Sequence, residues 1–76
     1  MNTKKASLFK MEPLADPIWS SRVERLLDVL TEPLTPIEVI RRARKQLGFS
    51  STLTTHTLAV AENHQIYYRS GKWWRF

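Results

Sequence analysis

Seventy-six residues without a cysteine are enough for one domain, whose core must use nearly every large apolar side chain and has neither a disulfide nor a thiolate metal site to help it. Twelve Lys and Arg against seven Asp and Glu leave a net charge of +5, a balance that in a small domain points first to a polyanion such as nucleic acid. Lys4 and Lys5 are followed by no apolar run of signal-peptide length and no stretch could span a bilayer, so a cytoplasmic or nucleoid-associated protein with no membrane partner is expected.

The charge lies in blocks: +2 over residues 1–15, −2 over 16–34, +3 over 35–50, −1 over 51–64 and +3 over 65–76. Residues 1–15 lack clean periodicity and read as an N-terminal arm, partly disordered, with Leu8, Phe9, Met11 and Leu14 resting in part on the domain or a partner. The domain itself is expected over 16–76. Its first helix is marked by Trp19, Val23, Leu26, Leu27 and Leu30 on one stripe. The cap is either Asp16 with Pro17 following, or Ser21 with Glu24 three residues on. The residue before Pro33 ends that helix.

The second helix has three concordant start signals: Thr35 as cap, Pro36 at the first helical position, and Glu38 reaching back to the cap. Gly48 closes it as a left-handed cap. Helical spacing puts Val39, Ile40, Ala43 and Leu47 on one side and Arg41, Arg42 and Lys45 on the other, with Arg44 on a flank. A third helix follows, capped by Ser50 or Ser51, despite four threonines whose stiff side chains weaken helices. Leu53, Thr57, Leu58, Val60 and Ala61 cover its inner face; Thr52, Thr55, His56, Ala59 and Glu62 lie opposite. Asn63 and His64 end it.

The closing stretch, IYYRSGKWWRF over 66–76, has five aromatic and three cationic residues around Ser70-Gly71 and reads as a β-hairpin. A three-residue loop, Arg69-Ser70-Gly71 with Gly71 left-handed, would turn Ile66, Tyr68, Trp74 and Phe76 to the core and display Tyr67, Arg69, Trp73 and Arg75. A two-residue loop would set Arg75 beside Ile66, and the buried charge this implies disfavours it.

The order of helix, helix with a Thr-Pro-x-Glu start, helix and terminal hairpin resembles a winged helix-turn-helix DNA-binding domain. The matching segments are LTPIEVIRRA, GFSS, TLTTHTLAVAENHQIYYR and SGKWWRF, and coverage is roughly 17–76. A weaker likeness is to HARE-type winged helices. The resemblance implies an α+β fold of three helices and a C-terminal two-stranded hairpin, the wing. Two departures stand out: the second helix is about a turn longer than in the compact bacterial form, and Asn63, His64 or Gln65 replaces the usual glycine before the first strand.

The same resemblance implies a third helix in the major groove of duplex DNA and a wing on the backbone, in a regulatory or accessory role. It makes Ser51, Thr52, Thr55 and His56 candidate recognition residues, with Ala59 permitting close approach. No Arg, Asn or Gln on that face offers a bidentate base contact, which implies low sequence specificity; the plainer alternative is a solvated polar face. From the residues themselves, Arg69, Lys72 and Arg75 are candidate phosphate contacts, and the interleaved Tyr67 and Trp73 candidate stacking platforms. Packing of Trp73 on the arm or the first helix is the alternative for that ring. Arg41, Arg42, Arg44 and Lys45 form a possible phosphate-contacting flank.

Catalysis finds little footing. His56 and His64 are eight apart, without cysteine or a spaced acidic pair, and Gly48 and Gly71 are the sole glycines. No enzyme activity, cofactor or metal is therefore expected. The rival reading is a protein-binding winged helix, an adaptor, assembly subunit or inhibitor anchored by the wing aromatics. A homodimer through the arm and first helix is a further possibility.

Overall fold

The computed structural model describes residues 16–76, and the arm expected over 1–15 lies outside the described residues. Three helices, α1 (Pro17–Val29), α2 (Pro36–Leu47) and α3 (Ser51–Ala61), precede an antiparallel hairpin of β1 (Ile66–Arg69) and β2 (Lys72–Arg75). This is the α+β layout of a winged helix.

Local chemistry sets each boundary. Of the two possible starts for α1, Asp16 prevails: its carboxylate accepts from the amides of Ile18 at 2.8 Å and Trp19 at 3.4 Å, with Pro17 at the first helical position. At α2 the reciprocal box is complete. The Glu38 amide donates to Thr35 Oγ1 at 3.3 Å, and the Thr35 amide donates to Glu38 Oε1 at 2.9 Å. Gly48, at φ 72°, takes the left-handed conformation that ends the helix. Ser50 caps α3 by accepting from the Leu53 amide at 3.0 Å, and Asn63 sits at φ 66° where a glycine is usual.

The threonines of α3 are accommodated by bonding backwards. The hydroxyls of Thr54, Thr55 and Thr57 donate to the carbonyls of Ser50, Ser51 and Leu53 at 2.8, 2.9 and 2.7 Å. Thr54 and Thr57 are thus fully buried with their donors satisfied, where a free hydroxyl would carry a desolvation cost.

The core joins Val23, Leu26, Val29 and Leu30 of α1 and its end to Val39 and Ala43 of α2, Leu58 and Ala61 of α3, and Phe49, Leu34 and Ile66. Trp19, Leu27, Ile40, Leu47 and Leu53 of the expected core are only partly buried. Val29, Leu34 and Thr54 are buried beyond expectation. Leu34 reads as a linker residue, yet it exchanges backbone hydrogen bonds with Trp73 at 3.2 and 2.7 Å, so β2 has a one-residue neighbour on the side away from β1.

The hairpin corrects the sequence reading. Its register is Ile66↔Arg75, Tyr67↔Trp74, Tyr68↔Trp73 and Arg69↔Lys72, closed by two residues, Ser70 at φ 55° and Gly71 at φ 75°. Two successive positive φ values match the right-handed strand twist, which a three-residue loop does less directly. The inward face is therefore Ile66, Tyr68, Trp73 and Arg75, and the outward face Tyr67, Arg69, Lys72 and Trp74. The expected facing is inverted along β2; along β1 the register keeps it, but burial follows it only at Ile66, since Tyr67 is half-buried and Tyr68 exposed. Trp73 packs against the core, while Tyr68 and Phe76, expected inside, are 49% and 76% exposed. The charge penalty invoked against this register does not arise. Arg75 stays exposed and its guanidinium donates to the carbonyl of Leu27 at 3.2 Å, in the last turn of α1, a carbonyl that also accepts from the Leu30 amide at 3.1 Å.

Candidate nucleic-acid interface

The structure brings the four α3 candidates together. Ser51, Thr52, Thr55 and His56 line one open concavity of about 240 Å³ on the N-terminal half of the helix. Thr52, Thr55, His56 and Ala59 are exposed there, and Ser51 is half-buried. No Asp or Glu occurs in α3. The amides of Ser51 and Thr52 precede the first helical hydrogen bond, and these two residues of the dipole's positive end are among those that line the concavity. The Thr55 hydroxyl, already donating to Ser51, offers a partner only its acceptor capacity.

The hairpin candidates divide. Arg69 and Lys72 stand directly opposite one another beside the turn, both exposed. Trp73 and Arg75 belong to the inward face, so the expected display of Trp73 is corrected: its ring lies against the core. The aromatics of the outward face are Tyr67 and Trp74, both half-buried, and Phe76, which is exposed; Tyr68, though on the inward face, is exposed as well. Tyr67 and Trp74 are nearly parallel, 9° between planes and 6.2 Å between centroids, and Phe76 tilts at 45° with its centroid 4.8 Å from Tyr67. The Trp74 indole donates to the Arg69 carbonyl at 2.9 Å, which fixes the ring without using its faces. The sequence reading missed Trp74 and Phe76 here; Ser-Gly taken as a two-residue hairpin turn would have found them.

Cations on the structure fall into committed and uncommitted sets. Arg42 is paired with Glu32 at 2.9 Å, Arg22 lies over the Trp19 ring at 4.8 Å, and Arg75 is bound to the end of α1. Among the described residues no hydrogen bond or ion pair engages the side chains of Arg25 on α1, or of Arg41, Arg44, Lys45, Arg69 or Lys72. Arg41, Arg44 and Lys45 share the exposed side of α2. Glu38 is held below its ordinary value of 4.5, first by the Thr35 amide, then by the Thr35 hydroxyl, with smaller help from the charges of Arg42 and Lys72.

No family model, curated protein or solved structure matches the chain. Among the described residues, no helix is long and apolar enough to cross a membrane.

Proposed function

We propose that this chain is a small DNA-binding winged-helix protein in a regulatory or accessory role, which lays the N-terminal half of α3 in the major groove and contacts the backbone with the uncommitted cations. One observation carries the reading: Ser51, Thr52, Thr55 and His56 share a single concavity at the positive end of a helix that bears no carboxylate. Short hydroxyls and helix amides suit phosphates and many base edges alike, so they position the protein with little sequence preference. Arg41, Arg44, Lys45, Arg69 and Lys72 supply the phosphate contacts; Arg42 and Arg75 contribute less, being held within the protein.

Duplex binding followed by anisotropy, in the parent and in a variant with both Thr52→Glu and Thr55→Glu, tests this. Like charges set against the phosphates cost several kcal/mol, so affinity is expected to fall at least about tenfold while circular dichroism stays unchanged. Equal affinity in the two proteins would remove α3 from the interface. The alternative of a protein-binding winged helix draws on one observation, the exposed ring of Phe76 against the half-buried ring of Tyr67, with Trp74 alongside. Association with a protein that persists at high salt would favour it.

A further inference from the structure

We propose that the outward face of the hairpin holds an unpaired nucleotide, its base against Tyr67, Trp74 and Phe76 and its phosphates on Arg69 and Lys72. The inference rests on the nucleic-acid reading above and names a substrate class for the wing: single-stranded ends or gaps beside a duplex.

Like charges directly opposed across two strands repel, and Arg69 and Lys72 are such a pair. Residues 65–76 include no acid, and Glu38, close enough to feel Lys72, has its carboxylate engaged by Thr35. An anion bridging the two cations removes the repulsion, so the face is complementary to phosphate. Next to the pair on the same face, one two-residue repeat or about 7 Å along the strands, stand Tyr67 and Trp74. That interval is within reach of a base whose phosphate sits on the cations. Tyr67 meets both Trp74 and Phe76; Tyr67 and Trp74 are half-buried and Phe76 is 76% exposed, so a flat apolar group still has surface to cover, most of it on Phe76. Paired bases keep their faces inside the duplex; unpaired ones expose them, and stacking on aromatic side chains tolerates any base. An apolar protein surface would also cover the rings, but it would leave the Arg69–Lys72 repulsion in place.

The test compares three fluorescent probes at low salt: a blunt duplex, the same duplex with a single-stranded overhang, and the single strand alone. The parent protein is expected to bind the overhang duplex about tenfold more tightly than the blunt one. Trp74→Leu and, separately, Phe76→Ala should erase the preference and leave blunt-duplex affinity in place. Phe76→Ala guards against a folding defect, because that ring is mostly exposed. Equal affinity of the parent for overhang and blunt duplexes would overturn the inference and leave the proposed function standing. Absence of binding to all three probes would overturn both. A salt-insensitive self-association in sedimentation that Trp74→Leu abolishes, with nucleic-acid binding untouched, would give the face to a protein partner and overturn the inference too.

Discussion

Trp73 and Trp74 are neighbours in the chain and opposites in the fold. Trp73 exchanges two backbone hydrogen bonds with Leu34 and rests its ring on the helices; Trp74 turns outward, tied by its indole to the Arg69 carbonyl and ranged alongside Tyr67. The same contrast divides the whole hairpin. Its inward face is held through Ile66 and Trp73 by the core and through Arg75 by the end of α1, whereas its outward face is held by its own rings and carries two cations that no hydrogen bond or ion pair engages among the described residues. The inward face therefore anchors the hairpin through Ile66 and Trp73, although its Tyr68 is exposed, and the outward face offers Phe76 and the two cations to another molecule.

The largest effect expected from this division is on folding. Ile66→Ala, at a fully buried site, should destabilise by about 2 to 5 kcal/mol in chemical denaturation, whereas Phe76→Ala should change stability by no more than about 0.5 kcal/mol. A large loss in the second variant would mean that the outward face carries load as well. The turn that assigns the faces can be probed next. A Cβ at Gly71 meets nothing within 4 Å, so Gly71→Ala registers only the left-handed backbone, about 1 to 2 kcal/mol, and Ser70→Asn should recover a few tenths. A neutral Gly71→Ala would contradict the two-residue turn.

Two arginines sharpen the comparison further. Arg75→Ala should cost about 0.5 to 1.5 kcal/mol of stability through the lost bond to Leu27, with duplex affinity nearly kept; Arg69→Ala should weaken duplex binding and leave the melting curve in place. The reverse pattern would exchange the roles of the two faces. The smallest expected effect concerns pH. Because Glu38 titrates lower in the folded protein than in the unfolded chain, its contribution is present above the unfolded value and is lost as pH falls through the folded one. Glu38→Gln should accordingly flatten the acid side of the stability curve below about pH 4.5, and an unaltered curve would mean the box does not influence folding.

The helices were largely legible because their signals are local. Thr35, Pro36, Glu38 and Gly48 each act on backbone within a few residues, and the structure places them as read. The burial of Leu34 and Thr54 was not legible. Leu34 depends on a strand almost forty residues away, and Thr54 is buried with its hydroxyl satisfied by the Ser50 carbonyl. The hairpin register was misread for a similar reason. A charge penalty assigned to Arg75 in isolation outweighed the turn chemistry of Ser70-Gly71, and the acceptor that removes the penalty lies at Leu27, out of sight of any local pattern. The α3 candidates do converge in space, because residues 51, 52, 55 and 56 fall on one helical face by periodicity alone.

The central claim is that a polyanion meets α3 and the uncommitted cations. Its most direct test is the affinity for a duplex measured between about 50 and 200 mM salt, for the parent protein and for the double variant Arg69→Ala/Lys72→Ala. The parent should bind with a steep negative slope of log K against log salt, and the double variant should show that slope reduced by about 2. Binding that ignores salt, or a slope unmoved by loss of both cations, would contradict the account.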